Sequence, residues 1–473
     1  MSNTSQASAR INSLLDENSF VEIGAMVTAR ATDFNMNPKE TPSDGVVTGH
    51  GLIDGKPVYV YSQDSSVLGG SIGEMHAKKI TRLYDLAMKV GAPVVAIIDS
   101  TGIRLNESTD ALAALGSVYR SMSLASGVIP QITAVVGNCG GGLSVLSSLS
   151  DFVVMEEKKA KMFVNSPNAL PGNYEEKLDT ASAKFQAEEA GNADVCPDEA
   201  SVYAKVRELV SILPSCNEGE EYDECTDDLN RVCTNIAGYG KDSGAMLSMI
   251  ADNNNFVEVS ASYAKSIATG FIRLDGLTVG CVANRGEIIG EEGTEKFDTA
   301  LTPEACVKAA DFVNFCDAFE IPVLTLTSVT GFAACVECEK KISRAAAKLT
   351  FAFANAKVPK VNVVYGDAFG SAYVVMNSKE LGCDMTYAWD TAKIGTMDAE
   401  LAAKIICDGK NADETKECAD KYAALQNSIE AAARRGYVDT VIAADDTRKY
   451  VVSAFEMLFT KREDLPVKKH GAV

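Results

Sequence analysis

Two glycine-rich segments could do chemistry with their backbone amides. Residues 137–143 (GNCGGGL) directly follow a predicted buried strand at 132–136, and residues 368–373 (AFGSAY) follow another at 361–364. A strand that enters a helix through glycines leaves backbone N–H groups without partners, and the positive end of the helix dipole lies behind them. Such amides can stabilise an oxyanion in acyl chemistry or bind a phosphate. We call these segments the first elbow and the second elbow.

The alternative is that these glycines only permit a helix to pack closely on a strand. Their occurrence at two matching places in the chain favours a binding site over that interpretation. Helices are expected to follow the elbows at 144–149 and 374–378. A dinucleotide site of the GxGxxG type is disfavoured, because the first elbow lies too far along its part of the chain, and the Walker A pattern is absent.

Further candidate residues lie before a predicted helix at 72–90 and at the ends of strands. Ligands bind at the carboxyl ends of strands in α/β proteins, and this rule selects the glycines and their neighbours at those ends. The candidate substrate-binding residues are Gly69, Gly70, Ser71, Gly102, Gly140, Gly141, Gly331, Phe332, Gly370 and Tyr373.

An internal repeat sets the domain organisation. Three pairs of landmarks share one constant separation along the chain: Pro93 and Pro322, Gly102 and Gly331, and Gly141 and Gly370. The motif FVEI at 20–23 returns as FVEV at 256–259, and the hairpin signal Asp-Gly at 54–55 returns at 275–276. We therefore expect two copies of one domain, at 1–216 and 243–473, joined by an acidic linker at 217–242.

Each copy alternates between strand and helix patterns. Short β-branched runs predict strands, and longer stretches with a helical period, such as 72–90 and 306–319, predict helices. This alternation indicates the α/β class, with a buried and mostly parallel sheet covered by helices. The predicted strands are 57–62, 94–98, 132–136, 323–326 and 361–364, and a further helix is predicted at 343–356.

Composition excludes several classes of protein. The 473 residues include 65 acidic and 44 basic side chains, giving a net charge of −21, which disfavours nucleic-acid binding. The three histidines, His50, His76 and His470, are scattered, so a histidine-based zinc site or catalytic triad is not expected. The start of the chain lacks the apolar region of a signal peptide, and no apolar run is long enough to form a membrane-spanning helix.

The cysteines and one lysine suggest functions that the sequence does not support. Thirteen cysteines are spread over the chain, and we expect them to be reduced thiols. Cys335 and Cys338 have the CxxC spacing but no second pair, so no metal site is predicted. Lys89 lies in an AMKV segment that is similar to a biotin attachment site. It falls at the end of an amphipathic helix rather than on a hairpin tip, which disfavours biotinylation.

The chain resembles the carboxyltransferase subunits of biotin-dependent acyl-CoA carboxylases and decarboxylases. The class includes the propionyl-CoA carboxylase beta and methylmalonyl-CoA decarboxylase alpha subunits. The resemblance runs nearly end to end and is strongest at 69–99, 308–322, 352–361, 365–389 and 447–471. It implies two crotonase-like domains in tandem, in agreement with the repeat.

The resemblance also implies a mechanism. Carboxybiotin on a separate carrier protein releases CO2, the resulting biotin anion removes the α-proton of an acyl-CoA, and the enolate attacks CO2. The amides of Gly142 and Leu143 would hold the thioester enolate oxygen, and those of Ser371 and Ala372 the biotin ureido oxygen. The protein then supplies positioning and oxyanion holes. The resemblance also implies that Val374, the residue after Tyr373, binds substrate by helping to shape the acyl pocket. The cofactor is biotin, the substrate a short-chain CoA thioester, and no metal is expected in this subunit.

The implied partners are a biotin carboxyl carrier protein and either a biotin carboxylase or a membrane decarboxylase subunit. The resemblance further implies a homo-oligomer, from dimer to hexamer, in which the N-terminal domain of one subunit faces the C-terminal domain of another. The expected location is cytoplasmic, or peripheral to a membrane decarboxylase complex.

The sequence departs from the family in three loops. At 101–106 the family pattern is altered although Arg104 and Glu107 match it, and larger departures lie at 328–339 and 344–348, on the biotin side. Two alternatives therefore stay open: a non-catalytic scaffold subunit, or a biotin-independent crotonase-type enzyme with Glu74 or Glu107 as its base. Lys78 and Lys79 lie on the helix that could meet CoA phosphates, but solvated surface lysines are the expected interpretation.

Overall fold

The protein is described by a computed structural model that covers residues 5–30, 40–219, 222–290, 293–466 and 471. The chain divides into two compact units, Met1–Glu221 and Tyr222–Val473. His470 lies outside the described residues, as does part of the acidic run at 218–224.

The first unit is built on one eight-stranded sheet. Its spatial order is β1-β2-β3-β4-β5-β6-β8, with β7 paired to the end of β5. The first three strands are antiparallel and the rest are parallel. Val94–Ser100 is buried along its whole length, as expected of a central parallel strand. The strands are β1 (Val21–Ile23), β2 (Val46–Ile53), β3 (Lys56–Gln63), β4 (Val94–Ser100), β5 (Gln131–Gly140), β6 (Phe152–Glu156), β7 (Lys161–Phe163) and β8 (Asp194–Cys196).

Helices cover this sheet and enclose an apolar core. The long helix from Glu74 to Val90 turns its buried face, including Ile80 and Leu83, to the sheet and ends at Gly91, whose φ is +70°. The helices are α1 (Gln6–Leu14), α2 (Glu74–Val90), α3 (Ser108–Ala125), α4 (Gly142–Ser148), α5 (Asn173–Glu176), α6 (Ala183–Glu188) and α7 (Glu199–Ile212).

The second unit has a sheet of the same construction. Its order is β9-β10-β11-β14-β15-β16-β18, with β17 paired to the end of β15, and β12 and β13 form a separate hairpin. Again three antiparallel strands lead into a parallel set. The strands are β9 (Phe256–Val259), β10 (Ile267–Leu274), β11 (Leu277–Asn284), β12 (Glu287–Gly290), β13 (Gly293–Lys296), β14 (Val323–Val329), β15 (Lys360–Phe369), β16 (Met385–Trp389), β17 (Lys393–Gly395) and β18 (Thr440–Ile442).

The helices of the second unit begin with one that carries an aspartate cap. Asp242 accepts a hydrogen bond from the amide of Ala245 and so stabilises the first turn. The helices are α8 (Ser243–Ile250), α9 (Pro303–Ala318), α10 (Val336–Glu339), α11 (Ile342–Asn355), α12 (Gly370–Val375), α13 (Ala399–Ile406), α14 (Ala412–Tyr422), α15 (Ile429–Arg434) and α16 (Thr447–Leu458).

The repeat predicted from the sequence is confirmed by the pairing of the strands. The starts of β4 and β14, and likewise those of β5 and β15, have the same separation as the landmark pairs. An irregularity in pairing occurs at the same place in both copies, where Ser100 pairs with Cys139 and Val329 with Ala368. The Asp-Gly pairs at 54–55 and 275–276 form the two predicted hairpin turns, with positive φ at all four residues.

Residues 222–242, which the sequence assigns to an acidic linker, lie within the second unit. Cys233 and Ile236 are fully buried in its core. Arg448 is fully buried, donates to the backbone carbonyl of Asp228 and forms an ion pair of 2.6 Å with Asp252. The described residues of the acidic run at 218–224 are exposed, as expected, whereas apolar residues later in the segment pack into the core.

The expectation of reduced thiols is wrong for four of the thirteen cysteines. Cys335 is bonded to Cys338, and Cys407 to Cys418, while nine cysteines are free. Sequence spacing does not reveal whether two cysteine side chains converge, and here the Cα atoms of Cys335 and Cys338 lie 5.1 Å apart.

Candidate functional site

The first elbow joins β5 to α4 through a glycine that no other residue could readily replace. Gly141 has φ +62° and ψ −127°, and its amide donates to the carbonyl of Phe163 at 2.8 Å. The helix begins at Gly142, slightly earlier than the sequence predicts, because the turn is complete at Gly141. Within the described part of the chain, the amides of Gly142 and Leu143 donate to no protein acceptor.

The surroundings of the first elbow fix its backbone and leave one side open. The hydroxyl of Tyr119 donates to the carbonyl of Gly142 at 2.5 Å. A Cβ built on Gly142 would lie 2.7 Å from Leu115, whereas one built on Gly141 meets no atom within 4 Å. Leu143 turns its side chain into the core. The two unpaired amides therefore sit at a helix start beside open space, as an oxyanion hole requires.

The second elbow joins β15 to α12 at Gly370, whose φ is +64°. The prediction of a helix at 374–378 is wrong, because α12 starts at Gly370 and ends at Val375. Ser371, Ala372 and Tyr373 are therefore its first turn, and the described residues offer no acceptor to the amides of Ser371 and Ala372. The positive φ of Gly370 marks the start of the helix, which the sequence pattern did not locate.

Side chains of the second elbow differ in exposure. Ala372 and Tyr373 are buried, and the hydroxyl of Tyr373 has no hydrogen-bond partner among the described residues. Val374 is 43% exposed. The second elbow thus combines the backbone amides of Ser371 and Ala372 with the exposed apolar side chain of Val374. The hydroxyl of Tyr373 is buried.

Loops at the ends of β4 and β14 adjoin the elbows and share one hydrogen-bond pattern. Gly102 accepts from the amide of Ile72 at 2.9 Å, and Gly331 accepts from the amide of Leu301 at the same distance. Both glycines have positive φ, +109° and +153°. A Cβ on Gly102 would lie 3.4 Å from the carbonyl of Gly140, so this loop touches the first elbow. Phe332 follows in the same loop as Gly331 and forms a bridge with Leu301.

The glycines at 69 and 70 complete the neighbourhood of the first elbow. Gly69 accepts from the amide of Thr101 at 2.9 Å, and both glycines have positive φ. A Cβ on Gly70 would lie 2.5 Å from the carbonyl of Asp99. The hydroxyl of Ser71 donates to the carbonyl of Leu68 and so serves the turn. The structure therefore brings 69–71, Gly102 and the first elbow together.

A buried ionic cluster holds the loops of the first unit. Arg104 forms ion pairs with Asp44 at 2.7 Å and with Glu107 at 2.8 Å, and it donates to the carbonyl of Ser71 at 2.7 Å. Glu107 also accepts from the amide of Glu74 at 2.6 Å. Burial raises the pKa of Asp44, and Arg104 opposes that rise. Asp44 lies in no recognisable sequence motif, so the sequence alone does not indicate that it belongs to the cluster.

A histidine and a lysine are buried beside this cluster. His76 donates its backbone amide to Asp44 at 2.8 Å, and Gln63 contacts its ring at 3.2 Å. Burial, together with the cations Arg104 and Lys79, lowers the pKa of His76 to about 3, so its ring is neutral at pH 7. Burial lowers the pKa of Lys79 to about 8, while Glu22 and Asp44 oppose this shift.

The lysines on α2 do not behave alike. Lys78 is exposed and forms an ion pair of 2.6 Å with Glu74, as expected of a surface lysine. The same expectation is wrong for Lys79, which is buried and donates to the carbonyls of Ser43 and Val46. Lys308, at the equivalent position of the second copy, donates to three carbonyls, including that of Ile267 at 2.9 Å. Both lysines satisfy loop carbonyls ahead of a strand.

The two carboxylates considered as alternative bases are held by cations. Glu74 pairs with Lys78 and with Arg30 at 2.7 Å, and both cations lower the pKa of its carboxyl group. Glu107 forms an ion pair with Arg104. Each of the two carboxylates is thus engaged by at least one cation. Among the described residues, no group of three or more His, Cys, Asp or Glu side chains is placed to hold a metal ion.

Comparison with known proteins shows the family of the chain. The model of the carboxyl transferase domain family matches residues 3–473. The chain is 39% identical to methylmalonyl-CoA decarboxylase subunit alpha of Propionigenium modestum over 487 residues, covering 99% of this chain and 92% of that protein. It is also 39% identical to the propionyl-CoA carboxylase beta chain of Roseobacter denitrificans over 483 residues, covering 99% and 93%.

A solved structure agrees with the fold. The hexameric transcarboxylase 12S core, crystallised with hydrolysed methylmalonyl-coenzyme A bound, matches with a TM-score of 0.91 and 36% identity over 98% of this chain and 92% of that one. The expected α/β class and the tandem crotonase-like domains are thereby confirmed. Within the described residues, no helix is long and apolar enough to cross a membrane.

Proposed function

Because this chain belongs to the carboxyl transferase family, we propose that it transfers a carboxyl group between carboxybiotin, carried on a separate protein, and the α-carbon of a short-chain acyl-CoA. The observation that carries the proposal is the pair of elbows. At equivalent places in two copies of one domain, a glycine of positive φ opens a short helix whose first amides have no protein partner among the described residues. Two anionic oxygens develop in such a reaction, one for each elbow.

The first elbow serves the thioester in this proposal. The amides of Gly142 and Leu143 bind the carbonyl oxygen of the acyl-CoA and stabilise its negative charge once the α-proton is lost. Tyr119 holds the carbonyl of Gly142 in place, and the loops at 69–71 and at Gly102 line the acyl side. Gly141 faces open space through which the thioester can approach, while Gly140 packs against the ring of Phe163 and supports the turn.

The second elbow serves the biotin ring. The amides of Ser371 and Ala372 bind the ureido oxygen, and Gly331, Phe332, Gly370 and Tyr373 line this side. The open space at Gly331 leaves room for a polar ring held by few side chains. Biotin supplies the carrier of CO2 and the base for the α-proton. The protein therefore needs neither histidine nor a free carboxylate, in agreement with the paired states of Glu74 and Glu107.

The relatives support the choice of substrate and partners. Their names specify propionyl-CoA, methylmalonyl-CoA and biotin dependence, so we infer a short-chain acyl-CoA, with exposed Val374 as part of the acyl pocket. The partners in this proposal are a biotin carboxyl carrier protein and either a biotin carboxylase or a membrane decarboxylase subunit. A homo-oligomer between dimer and hexamer and a cytoplasmic or membrane-peripheral location complete it.

Reconstitution tests the proposal. Purified protein is mixed with a biotinylated carrier, biotin carboxylase, ATP and labelled bicarbonate, and each of a panel of short acyl-CoAs is added. Label is expected in an acid-stable malonyl-type CoA product, and avidin should abolish the transfer. Absence of transfer with every acyl-CoA, from a carrier shown to be carboxylated, would contradict the proposal. Transfer that resists avidin would instead indicate the biotin-independent alternative.

The scaffold alternative rests on the altered loop at 328–339. It expects the chain to co-purify with a second, catalytic carboxyltransferase subunit and to add no activity of its own. Gly142→Pro, which removes one amide donor, would then leave the activity of that complex unchanged. A loss of activity in the same complex would show that the elbow of this chain is used.

A further inference from the structure

A buried polar network lies beneath the second elbow. Thr325 and Thr327 on β14, Asn362 in the middle of β15 and Asn377 after α12 are each at most 1% exposed. Burying an amide group without hydrogen bonds costs about 1–3 kcal/mol in proteins. A central strand is therefore an unfavourable place for asparagine unless its side chain forms several bonds.

Asn362 forms these bonds with the end of the elbow helix. Its side-chain nitrogen donates to the carbonyl of Asn377 at 3.0 Å and to that of Met376 at 3.4 Å. Its side-chain oxygen accepts from the hydroxyl of Thr327 at 2.8 Å. Asn377 in turn donates to the hydroxyl of Thr325 at 3.1 Å. The network thus ties the residues that follow α12 to two central strands.

The helix needs such support because it is short. α12 has six residues, and a helix of that length is not stable by itself. At its C-terminal end, the carbonyls of Tyr373 and Val374 accept from the amides of Met376 and Ser378, and the carbonyls of the next two residues, Met376 and Asn377, accept from the side chain of Asn362. Asn377 has φ +56°, so the chain turns away immediately and cannot add another helical turn. Asn362 therefore anchors the two residues that immediately follow the helix.

The equivalent place in the first unit has no such network among its described residues. Ala96 and Ile98 correspond to the two threonines, and Thr133 corresponds to Asn362. Thr133 instead contacts the hydroxyl of Ser150 at 2.7 Å, beyond the end of α4. The two elbows therefore share a backbone design but are fixed by different side chains.

We propose that Asn362 is a positioning residue for the amides of Ser371 and Ala372, acting through the end of α12. This inference rests on the proposed function, since it assigns those amides to the biotin side. Without the amide group of Asn362, the short helix loses its anchor and its first turn shifts relative to the carboxyl carrier. A shift of about 1 Å in a positioning element can cost about 100-fold in rate.

Kinetics with Asn362→Ala test the proposal, with Thr133→Ala as the matched control in the first unit. We expect Asn362→Ala to lower kcat/KM for the carboxylated carrier by about 10- to 100-fold. KM for the acyl-CoA should stay within about twofold of the wild type, since the first elbow is untouched. Thr133→Ala should leave KM for the carrier unchanged. A rise in KM for the acyl-CoA as large as the loss in kcat/KM for the carrier, or an unchanged kcat/KM for the carrier, would overturn the proposal.

Hydrogen exchange measured by mass spectrometry gives a readout that does not depend on activity. Peptides covering 366–378 should exchange faster in Asn362→Ala than in the wild type, while peptides covering 140–149 should not change. Unaltered exchange at 366–378 would overturn the inference. If the wild type transfers no carboxyl group, the proposed function fails separately, and the exchange experiment still decides whether Asn362 positions the helix.

Discussion

The two loops that follow β4 and β14 share the backbone hydrogen bonds of Gly102 and Gly331, but different side-chain interactions hold them in place. In the first unit, Arg104 lies between Asp44 and Glu107 in a buried ionic cluster. The residues of the second copy equivalent to Arg104 and Glu107 are Ala333 and Val336, and neither can form an ion pair. That loop carries the Cys335–Cys338 bond instead. The two copies of the repeat therefore keep the same backbone arrangement although different side chains stabilise it.

The difference has a consequence for function. The loop at 101–107 is fixed by charges that water and salt reach poorly, because Arg104 and Asp44 are almost fully buried. The loop at 330–339 depends on a bond that a thiol reductant can open. We therefore expect the loop on the side assigned to the acyl-CoA to be the more rigid of the two. The loop on the side assigned to biotin should become more mobile when a thiol reductant is added.

The largest effect is expected from proline substitutions that remove one amide from each elbow. Pro is tolerated in the first turn of a helix, so Gly142→Pro and Ser371→Pro delete a donor without breaking the helix. Each should lower kcat of carboxyl transfer by about 10²- to 10³-fold, because one oxyanion donor is lost. Steady-state kinetics with both substrates measure the two losses.

Alanine substitutions are the matched controls for this experiment. Gly142→Ala makes the same contact with Leu115 as the proline does but keeps the N–H group, and Ser371→Ala keeps it as well. Both should retain much more activity than the proline variants. If Gly142→Ala and Gly142→Pro lose activity equally, crowding rather than the lost donor is responsible, and the oxyanion-hole assignment is wrong for the first elbow.

The next largest effect is on stability and concerns Arg104. Arg104→Met leaves two buried carboxylates without their cation, and breaking such a pair costs about 3–5 kcal/mol. Urea unfolding followed by circular dichroism should show a lower midpoint. Arg273→Met in the second unit, which loses a partly exposed pair with Asp223, should cost less than about 1 kcal/mol. A cost for Arg104→Met as small as that of Arg273→Met would show that the cluster does not fasten the loop.

The sequence predicted the repeated scaffold well, and physical reasons explain this success. The buried strand at 94–98 is a continuous apolar run, the strand at 361–364 has valine at every position but Asn362, and the constant separation of the landmark pairs linked the two copies. The elbows were also found, because glycines between a strand and a helix are a local signal. The start of α12 was missed, since it depends on the backbone conformation of Gly370, which the residue type permits but does not dictate.

The residues that hold the site were harder to find than the site itself. Asn362 and Asp44 belong to no motif, and each acts on a segment distant in the sequence. The partners of Lys79 likewise lie far from it along the chain, so the pattern of α2 alone suggested a surface lysine. Such long-range polar contacts are set by tertiary packing, which periodicity and spacing do not encode.

A pH effect on stability is expected from the first unit, where His76 is buried. Its pKa falls to about 3 in the folded protein, while that of an unfolded histidine is about 6.5. Between these two values the unfolded chain binds a proton at this histidine and the folded chain does not. The free energy of unfolding therefore falls as the pH drops below about 6.5, by about 1.4 kcal/mol per pH unit for this group.

The cluster around His76 includes Arg104, Lys79 and Asp44, so a variant must isolate the histidine. His76→Gln keeps a polar group near Gln63 but cannot titrate. The free energy of unfolding, measured from mildly acidic to neutral pH, should depend less steeply on pH in this variant than in the wild type. Equal slopes would mean that the ring of His76 does not contribute. The equivalent residue in the second unit is Ala305, which offers no such dependence.

The smallest effect is expected from reduction of the Cys335–Cys338 bond. The bond closes a very short loop, and its contribution to stability is therefore no more than about 2 kcal/mol. A dithiol reductant should increase hydrogen exchange in peptides covering 330–341 and leave those covering 101–107 unchanged. Cys335→Ser should show the faster exchange without reductant and no further change with it.

The variant also separates this bond from the Cys407–Cys418 bond, which the reductant opens as well. If exchange at 330–341 in Cys335→Ser still rises on reduction, the second bond rather than the first controls the loop. If exchange at 101–107 rises too, the two loops are not fastened independently. Only a response confined to 330–341 and absent from the variant supports a rigid acyl-CoA side held by charges and a biotin side held by a reducible bond.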